Sequence, residues 1–425
     1  MNQSMCAKHS AIHPHRLALL ARVSSVVDRL ALALLLLAAG CAEAPSGSVG
    51  DAASVAPTDV LSARGAESDG GAVALPDSTV RRLVAADPLW AEALRIHYDA
   101  VVVDLHLDTP MHLVDDGVRL AERVAPRPAS RHADGPRLRE GGLDAPFFSV
   151  YVARSYGEDS AAVDRARALL TEAQRQVAAL PSAESARTAA DVLRIAQSGR
   201  TAVLYGLEGG HALAGRAAVL RELAGRGVRY VTLTHANTNT WADSATDAPR
   251  WDGLNGLGRS LVAEMNRLGV LVDLSHTSDA TFWDALDASA APPILSHSSC
   301  RALHDVPRNA SDAMLRALAD AGGVVFVNAY PGALAEGPAT LSDYLDHIEH
   351  ALAVAGPHAV GIGSDWDGVP AMPAGLADVT RLPHVTYGLL RRGHTEATVR
   401  AVLGGNALRV LRAAERAAAE RAAAG

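Results

Sequence analysis

The chain has 425 residues, 49% hydrophobic, 20% charged and 4% aromatic, which allows two or three domains or one large α/β barrel and excludes a small disulfide-stapled scaffold. Thirty-nine Lys and Arg against 47 Asp and Glu leave a formal net charge of −8, so a broadly basic surface that tracks phosphates is excluded and nucleic acid is not expected as a partner. Lys8 is the one lysine.

The first predicted element is an export signal over residues 1–40. Arg16, Arg22 and Arg29 precede the apolar run Leu30 to Ala39 and then Gly40-Cys41. About ten apolar residues are too few for a permanent membrane span, and a basic segment followed by a short apolar one and small residues is signal-peptide anatomy. Leu37-Ala38-Ala39-Gly40-Cys41 resembles the lipobox of bacterial lipoproteins, in which the cysteine is acylated and becomes the new N-terminus. Cys41 is therefore expected to anchor the protein to a membrane of the bacterial cell envelope, facing the periplasm or exterior; the alternative is an ordinary signal peptide with an incidental cysteine. Residues 41–80 lack apolar periodicity and are rich in Ala, Ser, Gly, Pro and Asp, as a flexible tether would be. Of Cys6, Cys41 and Cys300, only Cys300 falls in the folded part, so no disulfide framework is expected.

Residues 81–425 contain eight short β-rich runs, each followed by helical patterning or a loop leading to it: 101–108, 147–153, 202–208, 228–235, 269–276, 293–298, 323–330 and 359–365. Near-continuous apolar runs alternating with helices predict parallel strands buried on both faces, and eight such units in one domain predict a (β/α)8 TIM-type barrel. A doubly wound open sheet is the runner-up. Gly206-Leu207-Glu208-Gly209-Gly210 lacks the Lys-Ser/Thr of a phosphate loop, and no dinucleotide fingerprint follows the first run. The stretch from Arg412 to Gly425 reads as a solvated terminal helix.

The C-terminal ends of these runs, where a barrel builds its active site, carry His106, Asp108, Glu208, His235, His276, His297 and Asp365. Residues two apart on a strand share a face, so His106 and Asp108 can reach one ion, and Asp104 is placed on that face too. Asp273 is placed outward from His276. The donors exceed what one tetrahedral zinc takes and suit two ions sharing a carboxylate. Some barrel hydrolases bridge their ions with a carboxylated lysine. Here the one lysine lies in the predicted signal, and Glu208 is the candidate bridge, with His106 and Asp108 on one ion and His276 and His297 on the other. Imidazole and carboxylate donors favour zinc without excluding manganese or cobalt. Ser296, Ser298 and Ser299 invite a serine-nucleophile reading, but no G-x-S-x-G elbow is present. Cys300 reads as a small buried residue, while Asn328, Tyr330, His211 and Asp367 are left open between pocket and scaffold.

These motifs resemble the membrane dipeptidase (renal dipeptidase) family of zinc peptidases. The resemblance rests on 104–108 (DLHLD), 206–211 (GLEGGH), 230–235 (YVTLTH), 271–276 (LVDLSH), 296–299 (SHSS), 307–309 (PRN) and 361–368 (GIGSDWDG), in the family's order. It implies a two-zinc dipeptidase. His106 and Asp108 would ligate one zinc, His276 and His297 the other, and Glu208 both. His235 would contact substrate and the tetrahedral intermediate, Arg308 would hold the dipeptide, and Asp365 would act beside the attacking water. An arginine fork suits the substrate's C-terminal carboxylate. The implied chemistry is attack by metal-activated hydroxide, with His235 stabilising the oxyanion and Asp365 passing a proton to the leaving amine. A homodimer is implied by the resemblance alone. Leu105, Leu107 and Thr109 depart from common family residues, and the loop 237–243 lacks a proline frequent there. The alternatives are a related binuclear amidohydrolase acting on N-acyl amino acids or β-lactams, or a non-catalytic zinc-binding lipoprotein.

Overall fold

The computed structural model describes residues 75–124 and 131–424. The export signal, Cys41 and residues 41–74 of the tether lie outside the described residues. The helix Asp77–Ala86 opens directly after Pro76, inside the stretch assigned to the tether, so the folded unit begins slightly earlier than the composition suggests. Val80 draws that helix into a small apolar cluster with Trp90 and Leu94.

Nine strands are described: β1 (Val103–Leu107), β2 (Ala145–Tyr151), β3 (Ala183–Ser185), β4 (Thr201–Glu208), β5 (Val228–Thr232), β6 (Leu271–Asp273), β7 (Ile294–Leu295), β8 (Val324–Val327) and β9 (Val360–Ile362). Eight of them run β2-β1-β9-β8-β7-β6-β5-β4, and β4 pairs back to β2, closing a parallel barrel. That closure excludes the open doubly wound sheet. β3 is the extra strand: it pairs with Thr201 to Val203 of β4, and β2 takes over from Leu204 to Glu208. Its polar sequence, Ala-Glu-Ser, carries no apolar run that the sequence reading could detect.

The barrel is packed on both sides of its wall. Val103, Phe147, Leu204, Tyr230, Leu271, Ile294, Val324 and Phe326 share an inner cluster. Val150, Val203, Leu207, Val231, Val272, Val325 and Ile362 face a second cluster that includes the surrounding helices. The helix Ser160–Ala178 shows why: Val163, Ala166, Leu170, Ala173 and Val177 are buried at helical spacing, and the Asp159 carboxylate caps its start by accepting from Ala161 N at 2.8 Å. The interior is filled through a glycine. A Cβ at Gly206 would lie 1.9 Å from the Tyr230 ring, so only glycine lets that ring cross the barrel beneath the site.

The terminal helix is solvated over most of its predicted stretch: from Arg412 onward only Ala414 is buried among the described side chains. It spans Asn406–Ala424, and Ala407, Leu408, Val410, Leu411 and Ala414 belong to the inner cluster. It closes the N-terminal mouth of the barrel, next to Gly404, which packs directly on Val101 O. Chemistry is left to the opposite mouth. Among the described residues, no helix is long and apolar enough to cross a membrane.

Candidate metal centre

Every predicted donor reaches the C-terminal mouth, but by less regular backbone than the sequence suggests. Strands β5, β6, β7 and β9 stop at Thr232, Asp273, Leu295 and Ile362. His235, His276, His297 and Asp365 therefore project from the loops that follow. His276 and Asp365 have φ of 66° and 67°, a left-handed conformation costly for residues with a Cβ, and Asp367 has 68°. These loops are held against local preference, which is common where side chains must be aimed.

Strand β1 carries one more residue than β2 between Asp104 and Leu107, a bulge that interrupts alternation. Leu105 joins the inner cluster and His106, its neighbour, also reaches the site. Asp104 therefore does not share a face with His106, contrary to the alternation argument; its carboxylate accepts the backbone N–H of His106 at 3.1 Å and of Ser364 at 3.0 Å. Asp273 also departs from expectation. It follows Leu271 of the inner cluster by two and lies beneath the site rather than outward, because the left-handed turn at His276 breaks the count from that histidine.

Glu208, almost fully buried, stands at the centre with its two oxygens facing different partners. Oε2 lies 3.3 Å from His106 Nε2, which is 3.5 Å from Asp108 Oδ2. Oε1 lies 3.1 Å from His276 Nε2, 3.4 Å from His297 Nε2 and 3.7 Å from His235 Nε2. Asp365 groups with His106 and Asp108, and Asn328 Nδ2 donates to its Oδ2 at 3.3 Å. Gly368 seals that side, since a Cβ there would lie 2.1 Å from Asp108 Oδ2 and 2.4 Å from Asp365 Oδ1.

The electrostatics suit cations. Burial holds the His276 and His297 imidazoles well below the usual histidine range, with Arg308 beside both and His106 beside His297 adding to it. Their Nε2 atoms sit 2.9 Å apart and converge on Glu208 Oε1, as lone pairs sharing one positive centre would. Burial opposes charge on Glu208 as well, yet His106 and the neighbouring imidazoles hold its carboxyl well below the usual range. Burial pushes the Asp365 carboxyl up to about 8; Asp108 and Glu208 add to this, and His106 and Arg308 oppose it. Two buried carboxylates, Glu208 and Asp108, the half-buried Asp365 and two weakly basic imidazoles form a donor set matched to divalent cations. His106 Nε2 and Asp108 Oδ1, both buried, have no hydrogen-bond partner.

Arg308 lies at the same mouth. One guanidinium nitrogen donates to His297 O at 3.2 Å, while the other, Nη1, is buried without a partner and calls for an anion. Cys300 is inert: burial pushes its thiol up to about 12. Ser299 donates to Asn328 O, and Ser296 and Ser298 are buried in hydrogen-bonded positions, so none is poised as a nucleophile. His211 is fully buried against Gly209, and burial pushes its imidazole down to about 4. Tyr330 is 40% exposed at the rim.

Several supporting side chains escaped the sequence reading. Ser149 Oγ donates to Glu208 Oε2 at 3.1 Å, and Tyr230 OH lies 2.9 Å from His106 Nδ1. Asp367, left open, accepts from Thr109 Oγ1 at 2.7 Å and from His132 N at 2.6 Å, tying the loop after β9 to the residue following Asp108. Leu105 and Leu107 are core residues and do not line the pocket. The loop without proline is set instead by Asn239, whose Oδ1 accepts from Trp241 N and Ala242 N.

The sequence profile of the membrane dipeptidases, peptidase family M19, matches residues 90–425. Among similar proteins, the dipeptidase tcpJ of Claviceps purpurea is 38% identical over 341 residues, 78% of this chain and 76% of its own length. Dipeptidase 3 of Rattus norvegicus is 38% identical over 338 residues, 78% of this chain and 68% of its own. A metallopeptidase from Rhodobacter sphaeroides, solved with a phosphinate mimic of the dipeptide L-Ala-D-Ala, superposes with a TM-score of 0.66 at 26% identity, covering 74% of this chain and 99% of that one.

Proposed function

We propose, on the premise that this chain belongs to the membrane dipeptidase family and is a metal-dependent dipeptidase, that it hydrolyses dipeptides with a free C-terminal carboxylate using two zinc ions bridged by Glu208. The observation that carries this reading is the division of labour at Glu208, one oxygen toward His106, which itself neighbours Asp108, and the other toward His276 and His297. When bound, such ions supply Lewis acidity, which makes water acidic enough to ionise near neutral pH and polarises the scissile carbonyl.

The chain's own residues do the rest. Arg308 Nη1 takes the dipeptide carboxylate, which fixes the peptide's register against the donors. His235, with its side chain 19% exposed at the edge of the site, donates to the oxygen on which negative charge develops. Asp365, held by Asn328 Nδ2, accepts the proton of the attacking water and delivers it to the amine nitrogen as the C–N bond breaks. Acceptance of a D-residue at the C-terminal position is supported by the L-Ala-D-Ala mimic bound to the Rhodobacter relative.

A panel of L-Ala-L-Ala, L-Ala-D-Ala and their C-terminal amides tests the substrate class. Free acids are expected to be preferred, and Arg308→Ala is expected to lower kcat/KM for the acids by about 10- to 100-fold, as loss of a charged hydrogen bond does, with little effect on the amides. An unchanged acid-to-amide ratio in the variant would exclude Arg308 as the carboxylate partner. For location, the proposal is a lipid anchor at Cys41, supported by the Leu37 to Cys41 run behind an apolar segment. Cys41→Ala should move the protein from the membrane to the soluble fraction, and a variant that stays on the membrane rules the anchor out.

A further inference from the structure

Beneath the proposed metal ligand His297 lies a buried carboxylate with every acceptor position used. Asp273 Oδ1 accepts from Ser275 N at 3.1 Å and Ser296 N at 2.8 Å; Oδ2 accepts from Thr232 Oγ1 at 2.5 Å and Ser296 Oγ at 2.6 Å. The donors come from β5, the loop after β6 and the loop after β7, so one side chain ties three neighbouring barrel elements together. Ser296 Oγ is also 2.7 Å from His297 Nδ1.

Donor counting fixes the direction of this chain. A serine hydroxyl has one hydrogen, and an ionised carboxylate can only accept. Ser275 Oγ, at 3.4 Å, is a longer and uncharged alternative acceptor, and a hydrogen turned to His297 Nδ1 would leave none between Ser296 Oγ and the Asp273 oxygen 2.6 Å away. The hydroxyl hydrogen therefore goes to Asp273, leaving Ser296 Oγ to accept. The group facing it, His297 Nδ1, must then carry the imidazole proton. Nε2 is left as a bare lone pair, aimed at Glu208 Oε1 and at His276 Nε2.

We infer that Asp273 is a positioning residue that acts through Ser296 to lock His297 in the Nδ1–H tautomer, so that Nε2 is ready for a cation before one arrives. Outer partners of this kind orient metal-binding histidines, and their loss typically costs 10- to 100-fold in metal affinity. A carboxylate usually meets the histidine directly; here a serine hydroxyl stands between. The inference rests on His297 being a ligand, as proposed above. Asp273→Asn is the sharper variant, since its amide can donate to Ser296 Oγ and turn the hydroxyl toward Nδ1, placing the proton on Nε2. Ser296→Ala removes the relay with less risk to folding.

The test is zinc titration of the metal-free full chain against a chromophoric chelator, with the His297 tautomer read from imidazole 15N shifts. Wild type is expected to show the Nδ1–H form and two tight zinc equivalents. Asp273→Asn should show Nε2–H at His297, Ser296→Ala a tautomer mixture, and each should bind one zinc equivalent about 10- to 100-fold more weakly with the other unchanged. Two wild-type affinities together with a wild-type tautomer in Ser296→Ala would overturn the inference while leaving the metal reading intact. Failure of wild type to take up zinc at His297 would overturn both.

Discussion

Glu208→Gln is expected to lose both metal ions and to lower kcat/KM by at least about a thousandfold, the scale of several kcal/mol of lost transition-state stabilisation. The reason is geometric. Oε2 faces His106 and Oε1 faces His276 and His297, so the carboxylate serves two groups of donors at once. An amide is neutral and keeps one acceptor oxygen; its NH2 would point a hydrogen at imidazole nitrogens whose lone pairs are needed. The remaining carboxylates, Asp108 and Asp365, group with His106 alone, so they cannot replace Glu208 on the side of His276 and His297. Metal content and turnover, measured on a variant whose circular dichroism matches wild type, check this. Two retained ions with wild-type hydrolysis would refute the bridge.

Asp365→Asn should behave differently, keeping its metal while kcat falls about 10²- to 10⁴-fold, the usual contribution of a positioned acid or base. Asp365 lies beside His106 and Asp108 on a left-handed turn that Asp367 pins through Thr109 and His132. Asparagine tolerates that backbone better than most residues, so the loop should survive. An amide can still contact Asn328 but cannot accept and return a proton, and KM should change little because the proposed carboxylate partner is Arg308, not Asp365. A metal-loaded Asp365→Asn enzyme with wild-type kcat would remove this residue from proton transfer.

The barrel and its donors were legible because both leave residue-type signatures. Apolar runs buried on two faces mark parallel strands, and His, Asp and Glu at their ends stand out against that background. Orientation was not legible wherever the backbone left strict alternation. One inserted residue in β1 separates Asp104 from the face of His106, and a left-handed His276 hides that Asp273 lies inside. The supporting hydroxyls of Ser149, Tyr230 and Ser296 were missed for another reason. Such residues are common in strands and loops; only the fold brings Ser149 and Tyr230 within 3.1 Å of a donor residue, and Ser296, next to His297 in sequence, takes its role from Asp273, which the fold sets beside it. The solvated end of the terminal helix is legible in its Ala/Glu/Arg run, whereas its buried face, from Ala407 to Ala414, lies mostly ahead of that run.

Diffraction from zinc-soaked crystals, recorded on both sides of the zinc absorption edge, tests the shared carboxylate most directly. Two anomalous peaks are predicted, one bounded by His106 and Asp108 and one by His276 and His297, each within bonding distance of a different oxygen of Glu208. A single peak, or a pair that leaves Glu208 out of both coordination spheres, would contradict it.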